Sequence, residues 1–136
     1  MTLAEKGNFM PPPVLSQYPE MVSKEIQQWD NIISATHWEI HNNNKANGSD
    51  FYVGLAELGH IHLDGMLHLP STKEISKLLI QAKIAEKFIY VQHWVQFKIH
   101  NQASVNQAIW IFRLHYDRLF GADDAQLIQR ISEFKV

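Results

Sequence analysis

Apolar positions first recur at helical spacing. Val22, Ile26, Trp29 and Ile33 fall four, three and four residues apart, which predicts an amphipathic helix entered at Pro19, whose missing N–H costs nothing in a first turn. From His37 the period drops to two. Trp38 and Ile40 alternate with His37, Glu39 and His41, the pattern of a half-buried strand. Residues 42–50 (NNNKANGSD) predict a polar loop, because asparagine and glycine tolerate left-handed backbone. Residues 51–63 read as one long strand or two, with Gly54 and Gly59 as places for a bend or bulge, and 66–69 as a shorter strand beyond the Asp64-Gly65 turn.

Ser71 and Glu74 form a capping-box pattern after Pro70 and predict a second helix with Ile75, Leu78, Leu79 and Ala82 on its apolar face. Two strands are expected near 86–91 and 94–100, the latter with Val95, Phe97 and Ile99 on one side and Gln96, Lys98 and His100 on the other. Asn101 or Ser104 caps a third helix carrying Val105, Ala108, Ile109, Phe112, Tyr116 and Leu119, and Gly121 stops it. Asp123 or Asp124 caps a short last helix with Leu127, Ile128 and Ile131. This order predicts an α+β fold of two layers: an antiparallel sheet of about five strands, helices packed on one face and the other face wet. Residues 1–17, with Pro11, Pro12 and Pro13, predict an extended arm that docks through Phe9 and Met10, ahead of a single domain over 18–136.

Composition narrows the function. The chain has 136 residues, enough for one domain, and 46% hydrophobic with 19% charged residues excludes a disordered segment. Its 12 basic and 14 acidic residues give a net charge of -2, against a nucleic-acid partner or docking on anionic lipid. Cysteine is absent, which removes thiol nucleophiles and zinc–thiolate sites. With no long apolar run and no signal-like start, no membrane partner is expected and the location is expected to be cytoplasmic.

The candidate chemistry lies in histidines. Residues two apart on a strand share a face, so His60 and His62 project together. A two-residue Asp64-Gly65 loop would put His68 opposite Ile61, away from them. A three-residue loop ending at Gly65 would set His60 opposite His68 and gather three imidazoles on one face. Such a trio suits a transition metal, with Glu57 or Asp64 as an oxygen ligand, or metal-free acid–base work. Arg113 is either a clamp for negative charge or an i,i+4 partner of Asp117. Trp94 is a pocket wall or plain packing, and Tyr116 reads as core. His37 and His41 carry no assignment, and His115 and Arg118 are predicted to face solvent.

Glu57-Leu58-Gly59-His60-Ile61-His62, then Leu67-His68-Leu69, then residues 110–116 (WIFRLHY), together resemble the signature of the luciferase domain, named for fungal luciferases and widespread in bacterial proteins of unknown function. For the fungal enzymes the resemblance implies cofactor-independent oxygenation of a hydroxypyrone. Many members carry histidines in a segment that here reads Glu86-Lys87-Phe88-Ile89. The expectation is a pocket for an enol- or phenol-like small molecule, with His60, His62 and His68 as catalytic candidates. Glu57 would orient an imidazole, Arg113 would stabilise negative charge and Trp94 would exclude water. No cofactor is expected. Two alternatives stand beside it: a non-enzymatic interaction module forming a homodimer, and a metal-binding protein using His60, His62 and His68.

Overall fold

The computed structural model describes residues 10–39 and 42–135; Phe9, Ile40 and His41 lie outside them. The elements run α1 (Gln17–Gln27), β1 (Ile32–Glu39), β2 (Asn42–Val53), β3 (Ala56–His62), β4 (Met66–Pro70), α2 (Lys73–Gln81), β5 (Glu86–Lys87), β6 (Trp94–Lys98), α3 (Gln102–Leu119) and α4 (Asp124–Glu133). Six strands form one sheet in the order β1-β2-β3-β4-β6-β5, with every neighbouring pair antiparallel. This is the α+β arrangement that the sequence predicts, with one strand more.

Strand alternation divides the sheet chemically. Phe51, Ile61, Leu67, Leu69 and Val95 point to the inner face, where they are fully buried with Val22 and Ile26 of α1, Leu79 of α2 and Phe112 of α3. Phe51 and Phe112 meet edge to face at 5.9 Å. Each such side chain contributes about 1.5–3 kcal/mol on burial. Because Ile61 and Leu67 are committed inward, the residues on either side of them are driven to the outer face. At the sheet edge, Thr36 of β1 donates its N–H to Met10 O (2.7 Å) and its hydroxyl to Pro11 O (2.6 Å), so the chain ahead of α1 covers an otherwise bare strand.

Several sequence expectations are corrected. Residues 42–50 are not a loop but most of β2: they pair with β1, and from Gly48 onward the strand pairs with β3 as well. A central strand gains its ladder bonds whatever its side chains, so polar residues are tolerated where neighbours satisfy them. The strand expected over 86–91 shrinks to Glu86–Lys87, because the chain turns back: Phe88 N–H bonds Trp94 O at 3.2 Å, and His93 sits at φ 67°. Thr72, not Ser71, caps α2, accepting from Ile75 N–H at 3.2 Å. Asn101 caps α3 in a reciprocal box with Ser104, and Asp123 caps α4 in one with Gln126. Among the described residues, no helix is long and apolar enough to cross a membrane.

His115 does not face solvent. It is 1% exposed, with Nδ1–H donating to Ile111 O at 2.8 Å and Nε2 accepting from Ser71 Oγ at 2.8 Å, so it ties α3 to the segment between β4 and α2. Burial, with a smaller push from the Arg118 charge, lowers its pKa from the ordinary 6.5 to about 4. Between those values the unfolded chain binds a proton that the folded chain refuses, so this contribution is complete above about pH 6.5 and is lost as pH falls toward 4. Denaturant unfolding at several pH values is therefore expected to show stability falling on acidification through this window, at up to about 1.4 kcal/mol per pH unit from this group. The slope should be shallower in His115→Gln; equal slopes in both proteins would refute the assignment.

Candidate functional site

The β3–β4 hairpin decides where the histidines go. Its register pairs His60 with His68 and Ile61 with Leu67, leaving Leu63, Asp64 and Gly65 as a three-residue connection. Gly65 adopts φ 92°, a backbone that side chains disfavour, and its N–H bonds His62 O at 3.0 Å. Asp64 Oδ1 accepts from Met66 N–H at 2.9 Å and secures the turn from within. A Cβ on Gly65 would lie 2.6 Å from Ile99 O, so the turn also admits no side chain. This is the longer of the two registers that the sequence allows, and it puts His60, His62 and His68 on the outer face together.

Glu57 reaches the same face by an irregularity. Phe51 pairs with Gly59 but Tyr52 with Glu57, so Leu58 is an extra residue in β3. Without that bulge, positions three apart would point to opposite faces. With it, Glu57 Oε2 lies 3.0 Å from His60 Nδ1. Asp50, the cross-strand partner of His60 on β2, is 1% exposed, and its Oδ1 is 3.9 Å from the same nitrogen.

His37, unassigned from the sequence, belongs to the cluster. Its Nδ1 lies 2.8 Å from Asp50 Oδ1, and its ring stacks on His60 at 4.0 Å with 12° between planes. β1 and β3 are not neighbours; β2 runs between them, and the β2 residue paired with both His37 and His62 is Gly48. A side chain there would collide with the Ile61 carbonyl, at a backbone φ of 145°. The missing side chain lets the β2 and β3 backbones come together, between the strands that carry His37 and His60. Asn47, beside it, places its amide nitrogen 3.0 Å from His62 Nδ1.

The site has a buried floor and an accessible rim. Asp50, Glu57 and His60 are buried, whereas His62, His68, Phe88 and Trp94 are half-exposed. His62 Nε2 is 3.0 Å from His68 Nδ1, which is 3.3 Å from His60 Nε2. Phe88 lies against His68 at 4.1 Å between ring centres, and Trp94 approaches His60 at 5.9 Å. Burial, helped by the neighbouring His37 and His68, lowers the His62 pKa to about 4; burial also lowers that of His68, against the opposing effect of a hydrogen bond with the Gln96 side chain. Both rings are therefore neutral at pH 7. Burial first, then the charges of Asp50 and Glu57, raises the pKa of Tyr52, whose hydroxyl donates to Asp50 Oδ2 at 3.2 Å.

Of the sequence candidates, the structure brings Glu57, His60, His62, His68 and Trp94 together. It does not bring Arg113, which sits on α3 with Nε 3.2 Å from Asp117 Oδ1 and its guanidinium 5.1 Å from the Trp29 ring and 4.8 Å from that of Tyr116. Its amphipathic position next to Phe112 placed it in the helical layer. Sequence reasoning missed His37, Asp50, Asn47 and Phe88. The strand alternation around His37 was the one signal available, and it was cut off by reading residues 42–50 as a loop. Two shallow hollows lie elsewhere, one lined by Asp117, Phe120, Asp123 and Arg130 and one by Ile32, Ile33, Val53 and Phe120; neither contains a histidine.

Residues 56–115 match the family model described as Luciferase domain. The match bears out the resemblance carried by the sequence motifs. It spans a little under half of the chain, from the start of β3 to His115, and so includes His60, His62 and His68 but not His37 or Asp50. Neither the curated proteins nor the solved structures give a match.

Replacing Gly48 by alanine should force β2 away from β3 and separate His37 from His60. The expected cost is about 1–3 kcal/mol in denaturant unfolding. A Gly48→Ala protein as stable as the parent would show that the close approach is not required.

Proposed function

We propose that the outer face of the sheet is a small-molecule site that takes an acidic enol- or phenol-type ligand as its anion. The observation that carries this reading is the pairing of half-exposed His62 and His68, 3.0 Å apart, at the mouth of a buried imidazole row backed by Glu57 and Asp50. The luciferase-domain match over Glu57, His60, His62 and His68 supports it. A planar ligand edge would meet imidazole nitrogens on one side and the Phe88 and Trp94 rings on the other. An imidazole nitrogen takes the hydroxyl proton, and the resulting imidazolium N–H holds the oxyanion. Arg113 has no part in this scheme. Where many family members carry histidines, this chain supplies Phe88, an apolar wall against His68 rather than a further base. An electron-rich anion held in this way is the species that reacts with dioxygen in the chemistry the family resemblance implies.

Calorimetric titration with p-nitrophenol and with 4-hydroxy-6-methyl-2-pyrone tests the reading. Saturable binding is expected, weakened by about ten-fold or more, equivalent to about 1.4 kcal/mol, in His62→Ala and in His68→Ala. Arg113→Ala should bind as the parent does. No saturable binding of either probe, or an isotherm unmoved by His62→Ala, would sink the proposal.

A further inference from the structure

We infer that the acceptor of the ligand's proton is His37 Nε2, with Asp50 holding the opposite nitrogen of the same ring. The inference rests on the small-molecule reading above and deepens it. It names the base, and it places that base on β1 and its partner on β2, both ahead of the residues that match the family model.

Hydrogen bonding points to this ring. His37 Nδ1 lies 2.8 Å from Asp50 Oδ1, while Asp50 Oδ2 accepts from the Tyr52 hydroxyl at 3.2 Å. A carboxylate oxygen at that distance takes the Nδ1–H, which fixes the tautomer and leaves the lone pair on Nε2, directed away from Asp50. Among the described residues, His37 Nε2 has no hydrogen-bond partner. The other rings engage one another: His60 Nε2 and His62 Nε2 approach His68 Nδ1 at 3.3 and 3.0 Å, and His62 Nδ1 meets the Asn47 amide at 3.0 Å. Position agrees. His37 stacks on His60 and stands at 86° to His62, with ring centres 4.9 Å apart, and one of its nitrogens lies within 4.8 Å of nitrogens on both. Its side chain keeps 14% exposure, against 1% for Asp50, so the ring is reached from outside while its carboxylate is not.

Electrostatics select the same ring. Burial lowers the His62 pKa to about 4 and lowers that of His68 as well, so a carboxylate-backed ring holds a proton better than either rim ring. An imidazolium at His37 would lie between the Asp50 carboxylate and the new oxyanion, with opposite charge on both sides. A buried aspartate serves the general base of a hydrolytic triad in this way. The step balances: the ligand O–H bond breaks, the Nε2–H bond forms, the neutral ring becomes an imidazolium and the ligand becomes its anion. The titratable groups around the pair are Tyr52 of β2, Glu57, His60 and His62 of β3, and His68 of β4. Farther along the sheet edge, Glu39 and Lys45 pair with each other at 3.6 Å. His62 and His68 keep the role of binding the ligand at the rim, and His37 takes its proton.

p-Nitrophenol reports the step directly, because its anion is yellow and its neutral form is not. Tag-free, full-length protein is titrated with the probe across a pH series while the phenolate band is followed. In the parent, the bound probe is expected to ionise about one pH unit or more below the free probe. In His37→Gln and in Asp50→Asn the probe should still bind, but the midpoint of its ionisation should rise by about one unit or more, a ten-fold loss of bound anion at a given pH. His100→Gln, on the exposed surface, should follow the parent. A role in packing alone would weaken the neutral and ionised probe alike and leave the midpoint in place. Circular dichroism confirms that each variant is folded, and the partly exposed His37 gives the deciding variant should Asp50→Asn fail to fold. Saturable binding with a midpoint unmoved in folded His37→Gln, or with a parent midpoint equal to that of the free probe, overturns the inference and leaves the small-molecule reading standing. No saturable binding to the parent removes that reading and the inference with it.

Discussion

A β-strand shifted by one residue presents its other face, and the candidate site rests on that constraint at the β3–β4 turn. The hairpin has to bury Ile61 and Leu67 against Phe112 and its neighbours, which leaves His60, His62 and His68 only the outer face. Gly65 makes the required loop of three residues feasible, through a left-handed backbone packed against Ile99 with no room for a side chain. The apolar core and the polar cluster are thus two consequences of one register. Neither can move without the other.

Close packing of imidazoles is costly unless their nitrogens are satisfied, and the fold supplies the partners from several strands. Asp50 from β2 serves His37, Glu57 from the bulged end of β3 serves His60, and Asn47 serves His62. Burying carboxylates is itself unfavourable, and their pairing with imidazoles offsets that cost. The same burial keeps His62 and His68 neutral at pH 7, so the rim offers lone pairs rather than positive charge. Such an environment favours binding a cation or accepting a proton over attracting an anion from a distance.

The segment that matches the Luciferase domain model begins at β3, and residues before it add to the cluster. β1 and β2 contribute His37, Gly48 and Asp50 beside His60 and His62, while Phe88 and Trp94, within the matched residues, lie against His68 and His60. The character of the site is therefore set partly by segments that carry no family signature.

The residues alone determined the class of fold, the helices and the pairing of His60 with His62 on one face, because these follow from period, capping chemistry and alternation within a single element. Glu57 was also legible as a carboxylate near the histidines, though the bulge that brings it to His60 shows only in the strand pairing. What tertiary structure decided was everything that depends on which strands lie side by side. The long polar β2 is a strand because β1 bonds it along its length and β3 joins from Gly48 onward. His37 reaches His60 across β2, which lies close against β3 at Gly48, and His115 is buried because Ser71 and the turn of α3 enclose it. Arg113 is lost to the site because the sheet separates the helical layer from the histidine face. Local pattern fixes the direction of a side chain relative to its own backbone; only pairing and packing fix what it meets.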